Sequence, residues 1–535
     1  MIEKLISVVM TASSESEALK AIARLAVETT QLSDEDVDQL LAQLAELSIS
    51  DSVTPLPDDE GNWKPRLDLL IPITQSLLVR ELKQIKNSKP GDEIAMAWDG
   101  SRLQNFETLY LAVAPDSELP NHLLRWLATG SDTGRLELWV QLMGDQPPED
   151  RTGIGLAFAP LMNAEFVPPE WFLDSLIDAP TRHSQVAPAI YDLCNFFHRH
   201  QLVDQHPAQP RLEPLNQLLA QLVSNLKQIE SGKINPNIDV KAINRQVADS
   251  VALIVALCDT FALVEYQPAA ENIINAMLLR HRRVQTESAA ALARLGYPEG
   301  EKALIAMAAA PVSRLRVLAY AEELGFLDKI SLELQGEIAV AESQLAIWLS
   351  EAQQMGLAPT SIELVDNCEL YWPSYEHPLQ CYLFRYSYGK GENAHSNIGI
   401  CGPLTHAFAA DIRHLSPDDC YALFAGWQTT HQEIFQLSLE QATQMHGSEV
   451  RRMQSLLSEQ EIEDLQIQTA AGFFGETLLI ATGTLDGTAG TAIVDQNDVT
   501  WIPSGTENAP IDWDLAYALW RGRRLLTTFN HQDRV

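Results

Sequence analysis

The stretch "NIGICGPLTHAF", residues 397–408, carries the residue types of a nucleophilic site. Cys401 ends an apolar run, Gly402-Pro403 turns the chain, and His406 follows the thiol five residues later. A cysteine nucleophile works as the thiolate, with a histidine in hydrogen-bond reach and a third group orienting the ring. His414, Asp411 and Asp418 are near enough in sequence to supply that third group. The competing reading is a buried strand end, because cysteine in an apolar strand behaves as a small hydrophobe. Cys368 and Cys381 occupy similar runs, and no known cysteine-nucleophile signature surrounds Cys401. The strand reading is the expectation; Cys401, His406 and His414 are the candidate catalytic set should the chain be an enzyme.

The same region holds four cysteines (368, 381, 401, 420) and five histidines (377, 395, 406, 414, 431). A zinc site would recruit three or four of them, usually from short, regular spacings. These spacings are long and irregular, with no C-x-x-C, so no metal site is expected. Further upstream, "CNFFHRHQLVDQHP" gathers Cys194, His198, His200, Asp204 and His206. Cys194 and His198 share a helix face while His200 points elsewhere, and imidazolium near a helix C-terminus explains the histidines without a metal. No Walker loop, G-x-G-x-x-G, G-x-S-x-G or H-E-x-x-H occurs, and no cofactor is expected.

The elements that must position these residues are read from composition and periodicity. A chain of 535 residues exceeds one ordinary core, and 46% apolar with 20% charged residues marks a folded protein. The 37 Lys+Arg against 72 Asp+Glu give a formal charge of -35, which disfavours nucleic acid and anionic membranes. Six cysteines without C-x-x-C argue against a disulfide scaffold. The short apolar run Leu5–Met10 is a poor signal peptide and no stretch reads as a membrane span, so a cytoplasmic location is expected.

Residues 1–50 read as an N-terminal helical hairpin, and the Pro- and Asp-rich stretch 51–65 as a linker. Helical segments separated by prolines follow over 66–350. "LPNHLLRWLATG" and "VPPEWFLDSLID" align at an offset of 49, each followed by a second helical segment. Paired helices at a repeating interval, with proline opening the first, are the pattern of an α-solenoid. Four amphipathic helices in two pairs occupy 266–326, with Gly296 and Gly325 closing corresponding turns 29 residues apart.

The segment 266–326 resembles HEAT repeats of the short bacterial type. The matching residues are Val284, Ala289, Ala291, Leu292, the "LGYPEG" turn at 295–300, Arg316, Ala319, Leu324 and Gly325. Gln285 and Tyr297 depart from the usual arginine and aspartate. The resemblance implies an armadillo-like helical scaffold that binds a protein partner. It also brings in phycobilin lyases, since some bacterial HEAT-like proteins have that activity.

Beyond 360 the periodicity changes. "SIELVDNCELYW", "PLQCYLFRYSYG" and "SNIGICGP" read as three strands, followed by a helix opened by Ser416-Pro417 and running through "HQEIFQLSLEQA". A more polar helical stretch, 448–467, leads to the strands "TLLIATGTL", "GTAIVDQN" and "DVTWIPSG" and a last helix, "IDWDLAYALWRGRRLL". Tyr421-Ala-Leu-Phe-x-Gly426 recurs as Tyr517-Ala-Leu-Trp-x-Gly522, offset by 96. The region 360–535 is therefore expected to be an α+β domain of antiparallel strands, with 361–440 and 470–527 as two related halves or as a chance likeness.

Two further sets are candidates for partner binding. Arg280, Arg282 and Arg283, joined by Arg314 and Arg316, stand out in so acidic a chain; they serve either an ion-pair ladder between repeats or an acid-binding groove. Tyr371, Trp372 and Tyr375 cluster in "ELYWPSYEHP", a loop between strands, as contact residues or as a lid folded on the sheet. The fold class expected is mostly α: an irregular HEAT-like α-solenoid followed by a C-terminal α+β domain. The function expected is protein binding, with an enzyme using the thiol and histidines as the alternative. The sequence leaves the partner and the oligomeric state open.

Overall fold

A computed structural model describes residues 11–48, 55–58, 61–87, 97–130, 132–151, 153–232, 239–389, 395–495, 497–504 and 512–530, with isolated positions before residue 11. The chain divides into two compact units, Met1–Ala303 and Leu304–Val535.

In the first unit, helices α1 (Glu15–Thr29), α2 (Asp34–Ser48), α3 (Ile71–Asn87), α4 (Gly100–Ala112), α5 (Leu119–Ala128), α6 (Thr133–Asp145) and α7 (Ile154–Phe158) come first. Next are α8 (Glu170–Leu176), α9 (Ala179–Arg182), α10 (Ala187–Arg199), α11 (Leu212–Glu230), α12 (Val240–Leu263), α13 (Ala270–Met277) and α14 (Arg282–Arg294). Helix α15 (Pro298–Met307) runs across the division. Capping residues open several of them: the side chains of Ser14, Asp99 and Asp132 accept from the backbone N–H of Glu17, Arg102 and Arg135. Many helices pack on their next-but-one neighbour: α1 on α3, α2 on α4, α3 on α5, α4 on α6, and later α10 on α12, α11 on α13 and α12 on α14, while α13 and α14 pack directly on each other. The paired apolar faces of successive helices require this, since a single amphipathic pair leaves its face uncovered. Gly296 ends the α14 turn at φ +86°, and Gly325 ends its counterpart in the second unit at +74°, conformations that cost any side-chain-bearing residue strain.

Charged side chains thread between the first six helices. Arg135 of α6, 1% exposed, pairs with Glu81 of α3, donates from Nε to the Leu127 carbonyl at 2.9 Å, and lies 4.2 Å over the Trp98 ring. The second Glu81 oxygen accepts from Trp126 Nε1 at 2.7 Å. Arg80 pairs with Asp34 at 2.6 Å and Arg102 with Asp38. The cost of burying these charges is offset only because each has partners.

Two expectations change in this unit. The stretch 51–65 is not all linker: among its described residues, strand β1 (Leu56–Pro57) pairs antiparallel with β2 (Trp63–Lys64), and Leu56 is buried. Helix α12 is long and apolar enough to cross a membrane, which the sequence reading passed over; 56% of its most apolar window is buried inside the protein, as in a core helix.

The second unit opens with α16 (Pro311–Glu323), α17 (Leu332–Gln335) and α18 (Glu337–Ser350). Then come β3 (Ser361–Tyr371), β4 (Pro378–Tyr388), β5 (His395–Cys401) and β6 (His406–Ala407), forming one antiparallel sheet in that order, and α19 (Pro417–Gln428). Strand β7 (Ile434–Leu437) and α20 (Leu439–Ser458) follow. The chain ends with β8 (Glu463–Phe473), β9 (Glu476–Leu485), β10 (Thr488–Val494), β11 (Val499–Pro503) and α21 (Trp513–Phe529). The second sheet has the order β11-β10-β9-β8-β7. The chain is thus mostly helical, with two antiparallel sheets in its C-terminal part.

The helix expected through "HQEIFQLSLEQA" is instead broken into α19, β7 and α20. Ser438 caps α20 reciprocally with Gln441, a capping box that stops any helix from running through. The polar stretch to 467 likewise contains the start of β8, where Leu465 and Ile467 alternate with Gln466 and Gln468. Each sheet has a fourth meander strand, β6 or β11, that the sequence reading did not separate in the first case.

Helices α19 and α21 cross at the motif they share. A Cβ on Gly426 would lie 1.9 Å from the Ala518 carbonyl oxygen, and one on Gly522 would lie 1.7 Å from that of Ala422. The crossing is reciprocal: the alanine of each motif faces the glycine of the other. Tyr517 of α21 donates to the Gly472 carbonyl of β8 at 2.6 Å, while Tyr421 of α19 is held protonated by burial and by Cys368 and Asp366 of β3.

Candidate functional site

Cys401 ends β5 and is buried. Its Sγ donates to Gln344 Oε1 of α18 at 2.9 Å and lies 3.6 Å from Thr405 Oγ1. Burial pushes the thiol upward, away from the thiolate that nucleophilic chemistry uses. His406, in β6, stacks on Trp427 with ring centroids 4.1 Å apart and meets Phe408 edge-on at 4.8 Å. Burial lowers its pKa, so the ring is a neutral aromatic wall. His414 is exposed on the turn before α19. The structure thus engages the thiol with an amide and the imidazole with an indole.

Cys368 and Cys381 stand opposite each other in the β3–β4 register. Among the described residues, no group of three or more His, Cys, Asp or Glu side chains could hold a metal ion. Of the upstream histidines, His206 has a structural role. His206 Nδ1 accepts from the Ala208 N–H at 3.1 Å, so Nε2 carries the proton donated to Asn195 Oδ1 at 2.9 Å. Asn195 in turn donates to the Ala256 carbonyl of α12 at 3.1 Å. Burial drives His206 down to about 4, and raises Cys194 to about 12.

The candidate arginines separate. Arg314 is buried and fully engaged: it donates to the carbonyls of Ala308 at 2.9 Å and Ala339 at 2.7 Å and pairs with Glu342 at 2.6 Å. Arg316 lies 4.9 Å over the Tyr320 ring. Arg282 and Arg283 are exposed at the start of α14. The charge ladder in this part of the first unit runs through residues the sequence reading did not select: Arg199 grips Asp259 with both carboxylate oxygens at 2.6 and 2.7 Å, and Arg294 reaches it at 3.3 Å.

Arg280 is different. It borders a cleft of about 420 Å³ between α11 and α13, together with Lys227, Asn272, Asn275 and Leu278. The Arg280 backbone N–H donates to Glu230 Oε1 at 2.7 Å, which fixes this end of the cleft. Neither the Lys227 ammonium nor the Arg280 guanidinium has an ion-pair partner among the described residues, and both are exposed. Leu278, 72% exposed, stands on the rim. Sequence reasoning missed Lys227, whose only signal is its place in the last turn of a helix preceding the Arg280 cluster.

The aromatics of this stretch also divide, and Tyr371 lies not in a loop but at the end of β3, paired with Pro378. Trp372 is 1% exposed and donates from Nε1 to Gln428 Oε1 at 2.7 Å, so it belongs to the core. Tyr371 and Tyr375 are exposed, with the Tyr375 hydroxyl 3.4 Å from the Pro403 carbonyl. Comparison with protein-family models, curated proteins and solved structures gives no match for this chain.

Proposed function

We propose that this protein is a non-enzymatic binding scaffold whose helical unit is a HEAT-like α-solenoid, and that the cleft between α11 and α13 receives an acidic segment of a protein partner. The observation that carries this reading is that Lys227 and Arg280, neither with an ion-pair partner among the described residues, line one cleft in a chain of net charge -35, with Glu230 at its end held by the Arg280 backbone N–H. Elsewhere in the first unit the buried Arg135 and Arg80 are matched to acids, and so is the exposed Arg199. Asn272 and Asn275 add amide groups for hydrogen bonding, and exposed Leu278 adds apolar area at the rim. Next-but-one packing of the helices supports the solenoid reading. Arg280, Arg282 and Arg283 then form one basic edge, with Arg280 at the cleft.

The test is titration of the full chain with a dye-labelled peptide of alternating Glu and Leu, followed by anisotropy. Binding should weaken steeply with salt and fall by about tenfold or more in the Lys227→Glu/Arg280→Glu variant. Equal binding by the variant at the same salt contradicts the assignment of the cleft.

A further inference from the structure

The two sheets of the second unit differ at one edge. In the second sheet the outer edge of β8 is covered by β7, four residues paired from Ile434↔Phe473 to Leu437↔Ala470. In the first sheet β3 holds the same position, first strand of its meander, and no strand covers it among the described residues. Ala471 beneath β7 is fully buried, whereas Glu369 is exposed and Tyr371 is 41% exposed.

The polarity of the open edge is fixed by Asn530. Its Oδ1 accepts from the Tyr371 N–H at 2.8 Å and its Nδ2 donates to the Tyr371 carbonyl at 3.1 Å, the two bonds a neighbouring strand would make. Tyr371 therefore presents its backbone outward, consistent with Pro378, which has no N–H, lying opposite it on β4. By alternation Glu369 and Asn367 present theirs outward too. A register shift between Leu364 and Asp366 ends the regular edge on the other side. The open window is Asp366–Leu370, about the length of β7.

Beside this window lies a cavity of about 410 Å³. Leu370 is in its wall, and so are Asp418 and Asp419 at the start of α19 and Arg523 of α21, which pairs with Asp419 at 2.8 Å, with Asn530 at the same end of β3. A strand added to β3 would place the side chain alongside Leu370 on the Leu370 face, toward this cavity. Strand β3 itself carries Glu363, Asp366 and Glu369 and no basic residue.

We propose that the Asp366–Leu370 edge of β3 is a docking site for an extended, lysine- or arginine-bearing segment of a partner protein, which adds to the sheet as β7 adds to β8 and sets a basic side chain beside the exposed Glu369. Charge selects the occupant: an acidic strand facing its own copy repels it, and the bulge and inward Asp366 further oppose self-pairing. This surface is separate from the Lys227–Arg280 cleft and stands or falls without it.

The probe is a dye-labelled octapeptide of alternating Lys and Val, with a second version N-methylated at alternate residues to remove its edge donors at unchanged charge. Asn367→Pro removes an outward N–H of β3 without touching the β4 ladder or the net charge. The full chain should bind the first peptide and protect the amides of Asn367 and Glu369 from hydrogen exchange. Asn367→Pro, or the N-methylated peptide, should weaken binding by about tenfold. Equal affinity in both comparisons, or no protection within Asp366–Leu370, overturns the proposal. So does self-association of the chain that Asn367→Pro abolishes. If near-UV circular dichroism shows Asn367→Pro misfolded, the N-methylated peptide decides.

Discussion

The first six helices are spaced by long charged side chains, whereas α19 and α21 in the second unit touch backbone to backbone. Arg135 reaches from α6 to Glu81 of α3 through a layer that also holds Trp98 and Trp126. At the α19–α21 crossing no side chain intervenes, and Gly426 and Gly522 each sit against a carbonyl of the other helix. The first arrangement depends on charge matching and tolerates changes of size; the second, at its two glycines, depends on size. A buried charge network becomes costly when one member is lost, while a glycine contact becomes costly when one atom is added.

The comparison is broken most severely at Glu81. Glu81→Ala leaves the Arg135 guanidinium buried without its carboxylate and should destabilise the first unit by about 4 kcal/mol. Chemical denaturation followed by tryptophan fluorescence reads this directly. Glu81→Gln, which keeps the Trp126 acceptor, should recover part of the loss.

Gly522→Ala tests the other side. The added methyl meets the Ala422 carbonyl, and relief requires the two helices to separate, at a cost of about 3 kcal/mol. Gly426→Ala should behave alike, because the crossing is reciprocal. The double variant should cost less than the sum of the singles, since one separation relieves both clashes. Additive costs would mean the contact is not shared.

These two regions were not equally legible in the sequence. The crossing motif was visible as a repeated Tyr-Ala-Leu-aromatic-x-Gly, because close helix contact restricts residue type at fixed spacing. The network was not, because Glu81 and Arg135 are 54 residues apart and nothing local marks either as buried. Strand β7 was hidden for another reason: "IFQL" is short and sits between two helical patterns, so only the Ser438–Gln441 capping box marked the break. Cys401 was read correctly as a strand-end residue by position, but its Gln344 partner lies 57 residues away and could not be read. Arg314 stood out by charge alone, and charge does not distinguish a buried clamp from an exposed contact.

A smaller effect concerns pH in the first unit. His206 titrates near 6.5 when unfolded and near 4 when folded, because burial opposes its charge. The depressed folded value means the contribution is complete above pH 6.5 and is lost as pH falls toward 4. The loss across that window should be about 2.5 kcal/mol. His206→Gln should flatten this slope in urea midpoints measured from pH 7 to 4; an unchanged slope would assign it to other groups.

The smallest effect is at the exposed ladder. Arg199→Ala removes a grip on Asp259 that Arg294 partly retains, and should cost about 0.5 kcal/mol, less at high salt. A loss as large as that of Glu81→Ala would erase the distinction between buried and surface charge in this unit.

The binding role is tested most directly by placing a photoreactive benzophenone amino acid at Leu278, on the rim of the α11–α13 cleft, and irradiating the native cell. The account predicts one dominant protein adduct, mapped to an acid-rich segment of that partner and lost when Lys227 and Arg280 are both changed to glutamate. Adducts unchanged by that double substitution, or a label that never leaves the chain, would contradict it.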